Sequence, residues 1–338
     1  MGISLTRVIA SIVCFLLLVG CEGASETKGS LARNESNQAL MQYIDDLKID
    51  LVFVEGGDFL MGDFGADYGP ENLPYDADKD SKPLHKVRLD NYSIQKIKVT
   101  NQAYQFYLKF NGLKLRVVDA GNQKDWSDMN SAPRTPAHMD WFEAERYCGW
   151  LAVVSGLPFA LPTEAQWEYA ARSRGRFLMV STDDGTYRVA HERVQGEYGL
   201  RGLNISSTWN RRAFADEMNW ATEGLTPLPV DYFQPNSLGL YSMSDNGLEW
   251  VSDWYDEDYY NYSPVNNPQG PSVAVTKDYF GRGTKVVRGQ AFADPAWGGG
   301  VNVYRTSAEP HGYINEDDFV VLGDKTVRCV VNSSVPVN

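Results

Sequence analysis

Apolar and polar residues change their spacing repeatedly along this chain, and each change marks a boundary. Val8 to Gly20 is almost continuously apolar. From Glu22 to about Asn37 the pattern turns polar, with Ser, Glu, Lys, Gly, Asn and Gln and few apolar residues. Leu51 to Met61 (LVFVEGGDFLM) and Lys86 to Val99 (KVRLDNYSIQKIKV) alternate apolar with polar positions, broken by turn formers, and predict strands. Thr100 then caps a helix through about Phe110, in which Ala103, Phe106, Tyr107 and Phe110 recur at helical spacing.

The clearest helical pattern begins at Asp140. With Asp140 as N-cap and Glu143 three residues on, the start reads as a capping box. Trp141, Ala144, Tyr147, Cys148 and Leu151 form one apolar stripe, and Gly156 is a natural stop. A second helix follows from Thr163, with Gln166 at N3 and Trp167 and Ala170 facing inward. Beyond Arg174 the periodicity fades into short strands, turns and loops rich in Asn, Gly and Tyr. Two main helices in the first half and irregular β structure in the second predict an α+β domain with little regular secondary structure, not a wound α/β sheet.

The apolar run at the start is too short for a stable membrane anchor, and with Arg7 before it fits a signal peptide. It ends in Leu18-Val19-Gly20-Cys21, which resembles the lipobox of bacterial lipoproteins and makes Cys21 the candidate lipidation site. The expected organisation is therefore residues 1–20 as signal peptide, 21–37 as a flexible tether and 38–338 as a single domain. Glu22, not Asp, follows the cysteine. The expected location is the cell envelope, lipid-anchored, at an outer membrane and facing the periplasm.

Nine Trp, nineteen Tyr and 43% hydrophobic residues describe a large, loop-rich globular domain. The formal charge of −13 argues against nucleic acid, whose phosphates require clustered Lys and Arg. It also argues against adsorption to anionic lipid beyond an acyl anchor. The Asp76-Ala77-Asp78-Lys79-Asp80 stretch alternates like a calcium loop but lacks the following Gly and the late Glu, and reads as a solvated acidic loop.

Four blocks, in order, resemble the formylglycine-generating-enzyme or sulfatase-modifying-factor family. They are Met139 to Arg172, with its Leu161-Pro162-Thr163-Glu164-Ala165-Gln166-Trp167-Glu168-Tyr169-Ala170-Ala171-Arg172 segment, and Pro235 to Met243 followed by Glu249-Trp250-Val251-Ser252-Asp253-Trp254. The third is Val286-Val287-Arg288-Gly289 and the last Val327-Arg328-Cys329-Val330. The resemblance implies a large, irregular relative of the C-type lectin fold with bound calcium. Such folds carry several activities, so function has to be argued from the site.

Enzymes of this family are expected to bind copper through two cysteines just after the third block, since soft thiolates suit Cu(I). Residues 288–301 here contain no cysteine, histidine or methionine. Cys14 lies in the signal and Cys21 at the lipid site, leaving Cys148 and Cys329 in other blocks. Neither copper nor iron is expected: the four histidines, His85, His138, His191 and His311, show no i, i+4 pairing.

The resemblance further implies that Cys148 and Cys329 are bonded to each other, while the family's other common bridge has Ala171 and Thr306 at its positions. Two buried free thiols are the competing reading. It also implies a structural calcium held by the Ser242 side chain, main-chain oxygens at Asp245 and Gly247, and the Glu249 carboxylate, with pairing of Glu249 to an arginine as the competing reading. Arg288, Arg305 and Trp297 are candidate ligand contacts, with structural pairing of the arginines to buried carboxylates as the alternative. The expected function is a non-catalytic binding protein whose partner is another protein, in the manner of an immunity protein against a secreted effector or an accessory of a secretion or assembly system. The alternative is an oxidoreductase or metabolite-maturation enzyme of this fold with a relocated, non-cysteine site.

Overall fold

The computed structural model describes residues 22–118, 123–190, 202–221, 226–291, 300–312 and 324–337. Two compact units divide the chain, residues 1–47 and 48–338. In the first, helix α1 begins, spanning Glu22–Ile49. The tether expected to be flexible from 21 to 37 is thus helical from Glu22. Ala, Glu, Lys, Leu and Gln, all strong helix formers, run through it. Residues 34–39 are exposed. Among the described residues, no helix is long and apolar enough to cross a membrane.

In the second unit each of the two long strand patterns is split. The first gives β1, Leu51–Val54, and β2, Gly57–Met61; the second gives β3, His85–Leu89, and β4, Tyr92–Gln95. β1 pairs antiparallel with β4 (Val54 opposite Tyr92) and β2 with β3 (Gly57 opposite Leu89), in separate sheets. The chain changes sheet at Glu55-Gly56 and Asp90-Asn91. Gly56 is required there, because a Cβ would lie 2.1 Å from the Leu89 carbonyl oxygen.

The three expected helices form with their expected caps. They are α3, Asn101–Phe110, α5, Trp141–Ser155, and α6, Glu164–Ala171, the last two with complete capping boxes. Gly156 ends α5 in the left-handed conformation (φ +71°). A four-residue α2, Gly65–Tyr68, and α4, Gln123–Ser131, lie outside those expectations. So does α7, Thr208–Met218, in the half where helices were not expected. Its buried face is polar: Asn210 and Arg211 are buried beside Ala213 and Ala215, so no apolar stripe announces it.

A four-stranded sheet follows the order β1-β4-β10-β5, with β5 at Phe159–Ala160 and β10 at Val330–Val331. Another runs β8-β7-β6-β9, from β6, Leu248–Trp254, β7, Lys285–Arg288, β8, Arg305–Ala308, and β9, Lys325–Thr326. Helix α6 packs on β2, β3, β6 and β7, and its Trp167, Tyr169, Ala170 and Ala171 join Val54, Leu89, Ile94, Val251 and Val286 in the main core. Cys148 on α5 and Cys329 beside β10 form a disulfide with Cα atoms 5.7 Å apart, closing a separation of 181 residues; both are fully buried. This mix of short strands and helices is the expected irregular α+β architecture.

Candidate functional site

Strand alternation gives the β6–β8 sheet two chemically different faces. Toward α6 it presents charge. Glu164 and Glu168, one helical turn apart on α6, are buried with Arg172, Arg288 and Arg305. Arg288 donates to Glu164 Oε1 (2.6 Å) and Glu168 Oε2 (2.7 Å), and Arg305 to both oxygens of Glu164 (2.7 and 2.9 Å). Arg172 donates to Glu168 Oε1 at 2.8 Å, and Tyr260 to Glu164 Oε1 at 3.2 Å. Burial alone would raise the Glu164 pKa; Arg305 and Arg288 outweigh it and hold the group below its ordinary range.

This placement corrects the candidate ligand contacts. Arg288 and Arg305 are 0% and 1% exposed, and their guanidinium groups also donate to the carbonyls of Asn302, Asp80 and Asp256. They hold α6 to the sheet, the structural pairing given as the alternative. Trp297 and Cys21 lie outside the described residues.

Beside this network, Asp253 of β6 accepts from the Glu164 backbone N–H (3.0 Å) and from Ser252 Oγ (2.9 Å). Burial, then the Glu164 carboxylate, push its pKa up to about 7.

Glu249, also on the inner face, anchors a second cluster. Its Oε2 accepts from Arg328 Nε (2.7 Å) and the Trp167 indole (3.0 Å); its Oε1 accepts from Arg328 Nη2 and Lys98 Nζ, both at 2.9 Å. Lys98 Nζ also donates to the Gly247 carbonyl at 2.6 Å. Lys98, Glu249 and Arg328 are each fully buried.

The residues expected to hold calcium bond to groups of the chain itself. Ser242 Oγ donates to the Val230 carbonyl (3.2 Å), and Asp245 Oδ2 accepts from the Ser206 N–H (3.0 Å). Gly247 and Glu249 do converge, but on the ammonium of Lys98. A calcium ion needs six to eight oxygens at about 2.3–2.6 Å. Here it would have to share Gly247 O and Glu249 Oε1 with a cation already bonded to them. Among the described residues no group of three or more His, Cys, Asp and Glu side chains could hold a metal.

The outer face of the same strands is mixed, with apolar and hydroxyl side chains of the strands beside Lys277, Asp278, Arg282, Glu309 and Lys325. Leu248, Val287, Thr306 and Ala308 line a trough of about 450 Å³, flanked by the turn carrying Tyr279 and Phe280. Tyr279 is 93% exposed, Phe280 lies edge-on to it, and the Arg282 guanidinium sits 4.8 Å from the Phe280 ring centre. Thr306, at the position of the absent second bridge, opens on this trough.

Sequence reasoning missed Lys98, Glu164, Glu168 and Arg172 as a buried ionic framework. The i, i+4 spacing of Glu164 and Glu168 beside inward-facing Trp167 was the available signal: it puts both carboxylates on one helix face.

The family of sulfatase-modifying factor enzyme 1-like domains matches residues 40–320. A formylglycine-generating enzyme of Streptomyces coelicolor is 30% identical over 267 residues, covering 67% of this chain and 76% of that one. Serine/threonine-protein kinase pkn1 of Chlamydia caviae is 26% identical over 243 residues, 67% of this chain but only 31% of the kinase. Among solved structures, PvdO from Pseudomonas aeruginosa superposes with a TM-score of 0.55 at 24% identity, over 83% of this chain and 93% of its own, a likeness of fold. The family match over residues 40–320 and the relatives agree, and the chain belongs to the sulfatase-modifying factor enzyme 1-like family.

Proposed function

We propose that this chain is a non-catalytic member of its family, a lipid-anchored, periplasm-facing protein that binds another protein through the outer face of the β6–β8 sheet. The observation that carries the proposal is the thiol inventory. Beyond Cys21 the sequence has two cysteines, and they are bonded to each other in the core. A two-thiolate copper site therefore does not fit this domain, and residues 288–301 offer no other soft ligand.

The surface supports binding instead. Tyr262, Val265, Val273, Val275 and Tyr279, all exposed, fall within one short stretch of chain, and Tyr279 lines the trough. Apolar and aromatic side chains concentrated on a surface are the usual mark of protein contact. The charge of −13 favours a basic partner, drawn in by long-range attraction. A secreted effector or a component of a secretion apparatus has the chemistry and location this reading requires.

Two measurements test it on the full chain. Given Cu(I), oxygen and a Cys-x-Pro-x-Arg peptide, the protein should form no aldehyde by mass spectrometry. A photo-crosslinking residue at position 279 should capture one basic protein in cells, in a salt-sensitive way, that the same residue at position 124 does not. Turnover of the peptide, or identical adducts from both positions, would overturn the proposal.

A further inference from the structure

We infer that Lys98 supplies, from within the chain, the cation that holds the Gly247–Glu249 turn, so that this part of the fold is independent of calcium. Two of the residues expected to hold a calcium ion hold this ammonium. Gly247 offers its carbonyl at 2.6 Å and Glu249 its carboxylate at 2.9 Å, while the charge of Asp245 adds to the attraction. Thr326 Oγ1, at 3.5 Å, completes a set of three acceptors for the three N–H bonds of the ammonium.

The cluster also explains why the replacement is tolerated. An isolated ammonium in a fully buried position is strongly disfavoured, and burial pulls the Lys98 pKa down to about 8. Glu249 opposes that loss, and Arg328 would otherwise be the only cation on the carboxylate. Gly247, at φ +108°, brings its carbonyl to the ammonium through a turn where a Cβ would lie 2.5 Å from Thr326 Cγ2. The lysine therefore ties three segments, the end of the β4 region, the start of β6 and β9, as a coordinated ion would.

Terbium, a calcium substitute whose emission is excited through a nearby indole, reads this site through Trp167, which touches Glu249. The wild-type chain should show no terbium emission that depends on Trp167. Lys98→Ala should gain it, and the gain should vanish in Lys98→Ala with Trp167→Phe. Calcium should raise the melting temperature of Lys98→Ala by several degrees. Wild-type emission abolished by Trp167→Phe would overturn the inference, as would a folded Lys98→Ala chain that neither emits nor responds to calcium. If Lys98→Ala does not fold in EGTA, recovery of folded protein on adding calcium supports the inference and failure to recover overturns it. These outcomes are separate from those that test partner binding.

Discussion

Replacing Cys148 and Cys329 together by alanine removes the one covalent tie between α5 and the C-terminal strand. The closed loop is 181 residues long. On the chain-entropy relation, releasing a loop of that length gives the unfolded chain about 5 kcal/mol of additional freedom at 25 °C. For a unit of roughly 290 residues the unfolding entropy is about 0.6 kcal/mol per degree, so the melting temperature should fall by roughly 8 °C. Alanine is the appropriate replacement, because both positions are fully buried and serine would add unpaired hydroxyls.

Urea unfolding of the wild-type and doubly substituted chains measures the loss and also its origin. If the bridge acts by restricting the unfolded chain, the variant unfolds to a more expanded ensemble and its urea dependence steepens. A loss of the expected size with unchanged slope would place the effect in the native core instead. A loss below about 1 kcal/mol would refute the entropic argument. Two alkylatable thiols in denatured, unreduced wild-type protein would refute the bridge itself.

Two further outcomes follow from the buried charges. Arg288→Met leaves Glu164 with Arg305 and Glu168 with Arg172, so the loss should sit at the lower end for a broken buried pair, about 3 kcal/mol by urea unfolding; under 1 kcal/mol would show that Arg288 is dispensable. Asp253, with its pKa raised from 3.8 to about 7, binds a proton more tightly folded than unfolded. Its stabilising contribution is complete below pH 3.8 and is lost as the pH rises through 7. Asp253→Asn should therefore gain on wild type in melting temperature between pH 4.5 and 7.5, by at most about 4 kcal/mol of linked free energy, and a difference constant with pH would refute the assignment.

What could be read from the sequence followed the devices that leave a local mark. Thr100, Asp140 and Thr163 announced their helices because a capping side chain and its partner sit three residues apart. The split of the long strands at Gly56 and Asn91 did not show, since it depends on which sheet each half joins. Helix α7 was invisible because Arg211 is buried for its hydrogen bonds to the Thr226 carbonyl and Ser206. The disulfide came from the family blocks and agrees with the geometry. What meets two of the expected calcium ligands is something no spacing in the second block contains: the cation on Gly247 and Glu249 comes from Lys98, about 150 residues earlier.

The opposed faces of β7 and β8 carry a further meaning. Residues that alternate along one strand are adjacent in sequence yet answer to different demands. Arg288 and Arg305 are fixed by the need to neutralise α6, whereas the half-buried Thr306 and Ala308 touch the trough and take no part in those ion pairs. Folding and recognition are thereby written on alternate letters of the same short segments. A chain built this way can lose one chemistry from its outer face and take on another while its interior never registers the change.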